Sequence, residues 1–161
     1  MIFSIFVYAG CVEEELLEVS IPEVWETGEE KGLPTGDLKK KYLALAQSRF
    51  ICNPPVVVIN KAKNWPIELS RRVISEWRVK SRTRERILSI QLLDTMIVGA
   101  TFVGTMEDTK HTAGIESVSY FENRCWINGE LYKINITTKK QKSYDRMFAY
   151  YYSATEMRAK K

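Results

Sequence analysis

Lys110–Glu156 reads KHTAGIESVSYFENRCWINGELYKINITTKKQKSYDRMFAYYYSATE. Three runs in it, Ile115–Ile127, Glu130–Thr138 and Arg146–Thr155, are rich in β-branched and aromatic residues. Asn128-Gly129 separates the first two and is flanked by alternating apolar residues. This is the strongest short-range hairpin signal, because a two-residue type I′ turn needs positive φ at both positions. Lys139–Tyr144 forms the second turn, so the segment predicts an antiparallel three-stranded meander. In the middle strand, alternation buries Tyr132, Ile134, Ile136 and Thr138 and turns Lys133, Asn135 and Thr137 outward. In the last strand the same rule places Phe148, Tyr150 and Tyr152 on one face and Met147, Ala149 and Tyr151 on the other.

Upstream of the meander the periodicity changes. Thr83–Gly99 predicts the best helix of the chain, with Ile87, Ile90, Leu93 and Ile97 on one face, Thr83 as its cap and Gly99 as its stop. A second helix is predicted over Leu38–Phe50, from the stripe Leu38, Tyr42, Leu45, Ala46 and Arg49, and is ended by Asn53-Pro54-Pro55. Ser70 caps a third, Arg71–Val79. Val56–Ile59 predicts a buried strand, Ile67–Leu69 a short extended piece, and Thr101–Thr105 a further strand. Ile2–Val7 predicts a buried strand and Val12–Val19 a short acidic helix. Helices mostly precede strands, which predicts an α+β fold, with N-terminal helices packed on a small antiparallel sheet that ends in the C-terminal meander.

The chain has 161 residues, 45% of them apolar, which suits a single ordinary core. Its net charge of +4 hides an asymmetry. Residues 1–30 carry eight glutamates and no Lys or Arg; the remainder carries 24 basic and 12 acidic side chains. The expected organisation is an acidic segment, 1–33, beside a basic domain, 34–161. A basic body predicts a polyanionic partner. The acidic segment is expected to be solvated, the alternative being that it covers the basic face. Cys11, Cys52 and Cys125 are odd in number and widely spaced, so neither a disulfide framework nor a zinc site is expected, and a reducing cytosol is the simplest home. The apolar run at the N-terminus is short and follows no Lys or Arg, so it reads as neither a secretory signal nor a membrane span. No metal and no cofactor is called for.

Three groups of residues carry candidate chemistry. His111, the single histidine, is the one side chain with an unperturbed pKa near neutrality, and reads either as a general acid or base or as a plain solvated loop residue. On the meander, Lys133 and Tyr151 join it as catalytic candidates, and the tyrosines read either as plain strand residues, the favoured reading, or as platforms that stack on bases. Nine basic residues stand against three glutamates between Lys61 and Arg86. So many like charges point to a polyanion, with Arg71, Lys80, Arg82 and Arg84 as backbone contacts and Lys110, Arg124 and Lys139 alongside. Ser81 and Thr83 lie near a helix N-terminus that favours phosphate.

An ordered series of features over Val56–Tyr152 resembles the barnase/EndoU/RelE-like nuclease domains of phage and mobile-element polyvalent proteins. It comprises Val56–Asn60, Trp65–Ser70, Ile74-Ser75-Glu76, Leu92-Leu93-Asp94-Thr95-Met96-Ile97, Tyr120-Phe121, Ile127–Tyr132, Ile134-Asn135-Ile136 and Tyr150-Tyr151-Tyr152. The resemblance implies RNA cleavage on a sheet face and a protein inhibitor or antitoxin as partner. The expectation is a metal-independent ribonuclease, toxin-like or phage-borne, acting on tRNA or mRNA by 2′-OH attack in the cytoplasm of a bacterial or phage-infected cell. The alternative is an inactive RNA- or protein-binding module that acts against a host defence.

Overall fold

Asn128 and Gly129 have φ of 51° and 83°, the paired positive values of a type I′ turn. They join strands Ile115–Ile127 and Glu130–Gln141, the longest hairpin in the molecule. A Cβ on Gly129 would lie 3.1 Å from the Trp25 ring, so both its backbone conformation and the indole above it demand glycine. The structure is a computed structural model that describes residues 21–107 and 114–157. The predicted elements Ile2–Val7 and Val12–Val19, together with Cys11, Lys110 and His111, lie outside the described residues.

The strands are β1 (Glu23–Val24), β2 (Val57–Asn60), β3 (Trp65–Glu68), β4 (Thr101–Glu107), β5 (Ile115–Ile127), β6 (Glu130–Gln141) and β7 (Met147–Glu156). The helices are α1 (Gly28–Lys31), α2 (Thr35–Phe50), α3 (Arg71–Lys80), α4 (Arg84–Leu88) and α5 (Leu93–Val98), with a 3₁₀ turn at Ser89–Leu92. The strands form one sheet in the order β1-β5-β6-β7-β3-β2, with β4 also on β5. β1 runs parallel to β5 and β3 parallel to β7; the other pairs are antiparallel.

The predicted meander is present as β5-β6-β7, but the predicted architecture is overturned. Among the described residues the sheet is mixed, has seven strands and curls into a half-barrel, with 40% of those residues in strands and 34% in helices. It is therefore not a small antiparallel platform under a helical layer. The reason is long-range pairing: β2 and β3, upstream of most helices, return to the free edge of β7, and β1 and β4 share the far edge of β5. Trp65, Phe102 and Phe121, in mutual edge-to-face contact at 5.4–6.2 Å, draw the two ends of the curl together. The buried Asn60 side chain donates to the carbonyls of Ile97 (2.8 Å) and Ala100 (3.0 Å), which ties the β2 edge to the end of α5.

Three local expectations also change. The single helix over Thr83–Gly99 is three pieces, although Thr83 does cap its start and Gly99 its end. Its ladder is interrupted by side chains: Trp77 Nε1 and Ser89 Oγ both donate to the Arg86 carbonyl, and the Tyr152 hydroxyl takes the Ser89 carbonyl at 2.7 Å. The predicted buried strand Val56–Ile59 is the edge strand β2, and Val57 and Ile59 are 37% and 47% exposed. Finally, β7 breaks its alternation. Thr137 pairs Tyr151 while Thr138 pairs Ala149, so Tyr150 is an extra residue in a β-bulge. Tyr150 and Tyr151 therefore both lie off the core, and Tyr152 is buried with Ala149 and Met147.

Candidate nucleic-acid interface

The inner face of the half-barrel packs Phe121, Cys125, Ile134, Ile136 and Tyr152 against the helices. Among the described residues no helix packs on the opposite face of β5, β6 and β7. Cross-strand register lays out its rows: Arg124, Lys133 and Thr155; Glu122, Asn135 and Ser153; Tyr120, Thr137 and Tyr151; then Lys139 and Phe148. Arg124 and the partner of Lys139 on β5 are six residues apart, so this part of the face runs about 20 Å along the strands.

One end of the face is a cluster of cations on aromatic rings. Ser70 caps α3 and donates to the Ala149 carbonyl at 2.6 Å, which holds the helix along the β7 edge left free beyond β3. Val73, Ile74 and Trp77 point into the core, so Arg72, Glu76 and Lys80 point out. The Arg72 guanidinium lies 4.9 Å from the Tyr150 ring centroid and donates to the Tyr150 hydroxyl at 2.9 Å, which raises its pKa. Lys139 Nζ sits 3.6 Å from the same centroid, and Lys80 Nζ 6.0 Å from that of Tyr151. Phe148 contacts Tyr150 edge-on at 6.5 Å. Among the described residues Lys139 has no carboxylate partner.

The other end carries a charged pair. Lys133 Nζ lies 3.5 Å from Glu122 Oε2, both side chains partly exposed, with Arg124 opposite Lys133 across the ladder. Glu122 was not among the sequence candidates. Its signal was present in the alternation of β5, where buried Phe121 and Cys125 turn Glu122 and Arg124 outward. Arg72 was counted in the basic run, but the bulge that sets Tyr150 beneath it has no local signature.

The predicted site residues are thus divided. Lys133, Tyr151, Lys139 and Arg124 share the open face, and Lys80 borders it. Arg71 is exposed at the start of α3 and Arg82 in the link to α4. Ser81 is buried, and Thr83 Oγ1 accepts the Arg86 N–H of the five-residue α4.

Arg84 is half-buried and committed to partners within the fold. Its Nε and Nη2 donate to the Glu26 carboxylate at 3.0–3.2 Å, Nη2 to the Glu30 carbonyl and Nη1 to the Leu33 carbonyl, each at 2.7 Å. Its donors are therefore spent on Glu26, Glu30 and Leu33. Glu26 and Glu30 are buried rather than solvated, and they pair with Arg84 and Lys41. The Arg84 hydrogen bonds hold the Glu26 carboxyl below its usual range against the opposing effect of burial. Burial alone would raise the Glu30 carboxyl. The Lys41 ammonium at 2.7 Å, the Thr27 N–H at 2.9 Å and the Tyr42 hydroxyl at 2.7 Å outweigh it and bring the pKa down to about 2. Burial and the Glu30 carboxylate together push the Tyr42 hydroxyl well up.

Among the described residues no cluster of three His, Cys, Asp or Glu could hold a metal ion, and no helix is long and apolar enough to cross a membrane.

A half-barrel with one face of cations and aromatics defines a class of small mixed-sheet domain. The chain belongs to the family described as Large polyvalent protein-associated domain 3, whose model matches residues 35–150, from the start of α2 into β7. This supports the phage and mobile-element polyvalent-protein context of the resemblance. The match is not to a nuclease family, so the barnase/EndoU/RelE side of that resemblance gains nothing from it. No curated protein and no solved structure matches the chain.

Proposed function

We propose that the chain is a nucleic-acid-binding module of a polyvalent protein, and that the bare face of β5-β6-β7 holds single-stranded RNA. The observation that carries this is Tyr150, with Lys139 and Arg72 both resting on its ring. Phosphates draw such cations off the ring by charge, and the ring is then free to stack on a base. Sequence-tolerant stacking with a basic track is how open sheet faces hold single strands. Four cations, Arg124, Lys133, Lys139 and Lys80, mark the track.

A specific observation supports cleavage as a second reading. Glu122 and Lys133 face one another beside Arg124, so a base for a 2′-OH and cations for a phosphorane stand on the same face. Tyr151 lies one row further along than Glu122, and His111 is outside the described residues.

The test is fluorescence anisotropy with labelled single-stranded and duplex RNA across a salt series, with gel analysis of total RNA and tRNA incubated in EDTA. Salt-sensitive binding that prefers single strands supports the module. Cleavage by the wild type that is lost in Glu122→Gln while RNA binding is retained adds the enzymatic reading. Equal, salt-independent affinity for all RNAs, or none at low salt, rejects both.

A further inference from the structure

We propose that the open end of the half-barrel is a binding site for a nucleoside phosphate, separate from the RNA face. A hollow of about 420 Å³ opens there, within the range of small-ligand sites. It lies on the inner face of the sheet, because Lys140 and Ser117 alternate with Lys139 and Val118 of the outer one. Toward the helices this inner face is apolar, with Ile134, Ile136 and Phe121. Beyond them it changes to hydroxyls, which no helix requires: Ser117, Ser119 and, from β4, Thr105.

Three chemistries meet in this hollow. Trp65, Pro66 and Met147 form an apolar wall. The Trp65 indole is fixed before any ligand arrives, by Phe102 and Phe121 edge-on at 5.4 and 6.2 Å and by the Lys63 ammonium at 5.1 Å. Thr105 Oγ1 is anchored to Ser119 Oγ at 2.8 Å and Ser117 stands beside it on β5, so both hydroxyls are held on one wall. At the rim, Lys140 Nζ is positioned by the Tyr144 carbonyl at 2.9 Å, and its carboxylate neighbour Glu116 is 3.8 Å away and half exposed. Asp145 shares the rim, and Arg146 is neutralised by two hydrogen bonds to Glu68.

That combination selects a ligand class. An apolar molecule would take the Lys140 ammonium and the half-buried Ser117 hydroxyl out of water without offering either a hydrogen bond. A bare anion would gain from Lys140 but meet Asp145. A nucleoside phosphate brings a flat base for Trp65, ribose hydroxyls for Asp145 and the Ser/Thr wall, and a phosphate for Lys140. The source is either a free nucleotide or the terminal nucleotide of an RNA.

Isothermal titration of the full chain with AMP, CMP, GMP and UMP, their nucleosides, inorganic phosphate, and a short RNA with or without a 3′-phosphate decides it. The expected result is saturable binding of at least one monophosphate or of the phosphorylated RNA end, and the arm that binds identifies the source. Lys140→Ala should weaken the phosphorylated ligand by about tenfold and its nucleoside by less than twofold. The exposed Thr105→Val should weaken both. Phosphate binding as tightly as any nucleotide overturns the proposal. So does the absence of binding at millimolar ligand, or Lys140→Ala weakening nucleotide and nucleoside alike. The site stands or falls apart from the RNA face, because mononucleotide titration and oligonucleotide anisotropy on the wild-type chain read different ligands.

Discussion

Arg84 and Arg72 come from the same basic run, twelve residues apart, and end in opposite situations. Arg84 is enclosed by Glu26 and by the carbonyls of Glu30 and Leu33, where it pins the segment ahead of α2 to the body. Arg72 lies on the Tyr150 ring, with Glu76 at 3.5 Å along its own helix and most of its surface in water. A charge surrounded by fixed acceptors holds the fold together; one resting on an aromatic ring can exchange that contact for a phosphate. The difference separates the half of the molecule that spends its charges on folding from the half that leaves them available.

The largest effect is expected at the buried end. Glu30→Ala removes the acceptor shared by Tyr42, Lys41 and the Thr27 N–H, and leaves the buried Tyr42 O–H without its acceptor. A loss of about 2 kcal/mol is expected, a fall of roughly 4–8 °C in Tm by calorimetry. An unchanged Tm would break the comparison, since the latch would then hold nothing.

The same carboxyl sets an acid limit. Its folded pKa of about 2 lies below the ordinary 4.5. A depressed carboxyl stabilises the fold above its unfolded pKa, and that stability is lost as pH falls from about 4.5 toward 2. Tm measured from pH 6 to 2.5 should fall more steeply for the wild type than for Glu30→Gln; parallel curves would place the acid sensitivity elsewhere.

At the open end, Tyr150→Ala should weaken single-stranded RNA by about tenfold, the loss of one stacked base, while Tm stays nearly constant. If affinity holds and Tm drops instead, Tyr150 belongs with the structural half. The smallest effect is the most specific: Lys139→Ala should reduce the slope of log K against log salt by about 0.7, one phosphate contact on a single strand.

Much of the molecule was legible from local pattern. Asn128-Gly129 announced its turn through the φ values it tolerates, Ser70 and Thr83 their caps, Gly99 its stop, and the alternation of Tyr132 to Thr138 its faces. These features are short-range, so neighbouring residues carry the whole signal. The edge position of β2, the break at Ser89 and the bulge at Tyr150 were not legible. Each depends on a partner far along the chain: β3 returning to β7, Tyr152 reaching the Ser89 carbonyl, and Thr137 and Thr138 setting the register of β7. Of the candidate site, alternation placed Lys133 correctly on the outer face, whereas Glu122 and the pairing of Arg72 with Tyr150 came only from strands and helix brought side by side.

The sequence by itself determined the hairpin, the helix ends and the surplus of basic residues, because backbone sterics, capping and charge are properties of residues and their neighbours. Only the tertiary structure decided that the sheet curls into a half-barrel and which cations remain available. Both are settled by contacts between segments tens of residues apart, where the burial of Glu26 beside Arg84 and the outward placement of Tyr150 beneath Arg72 and Lys139 are fixed together.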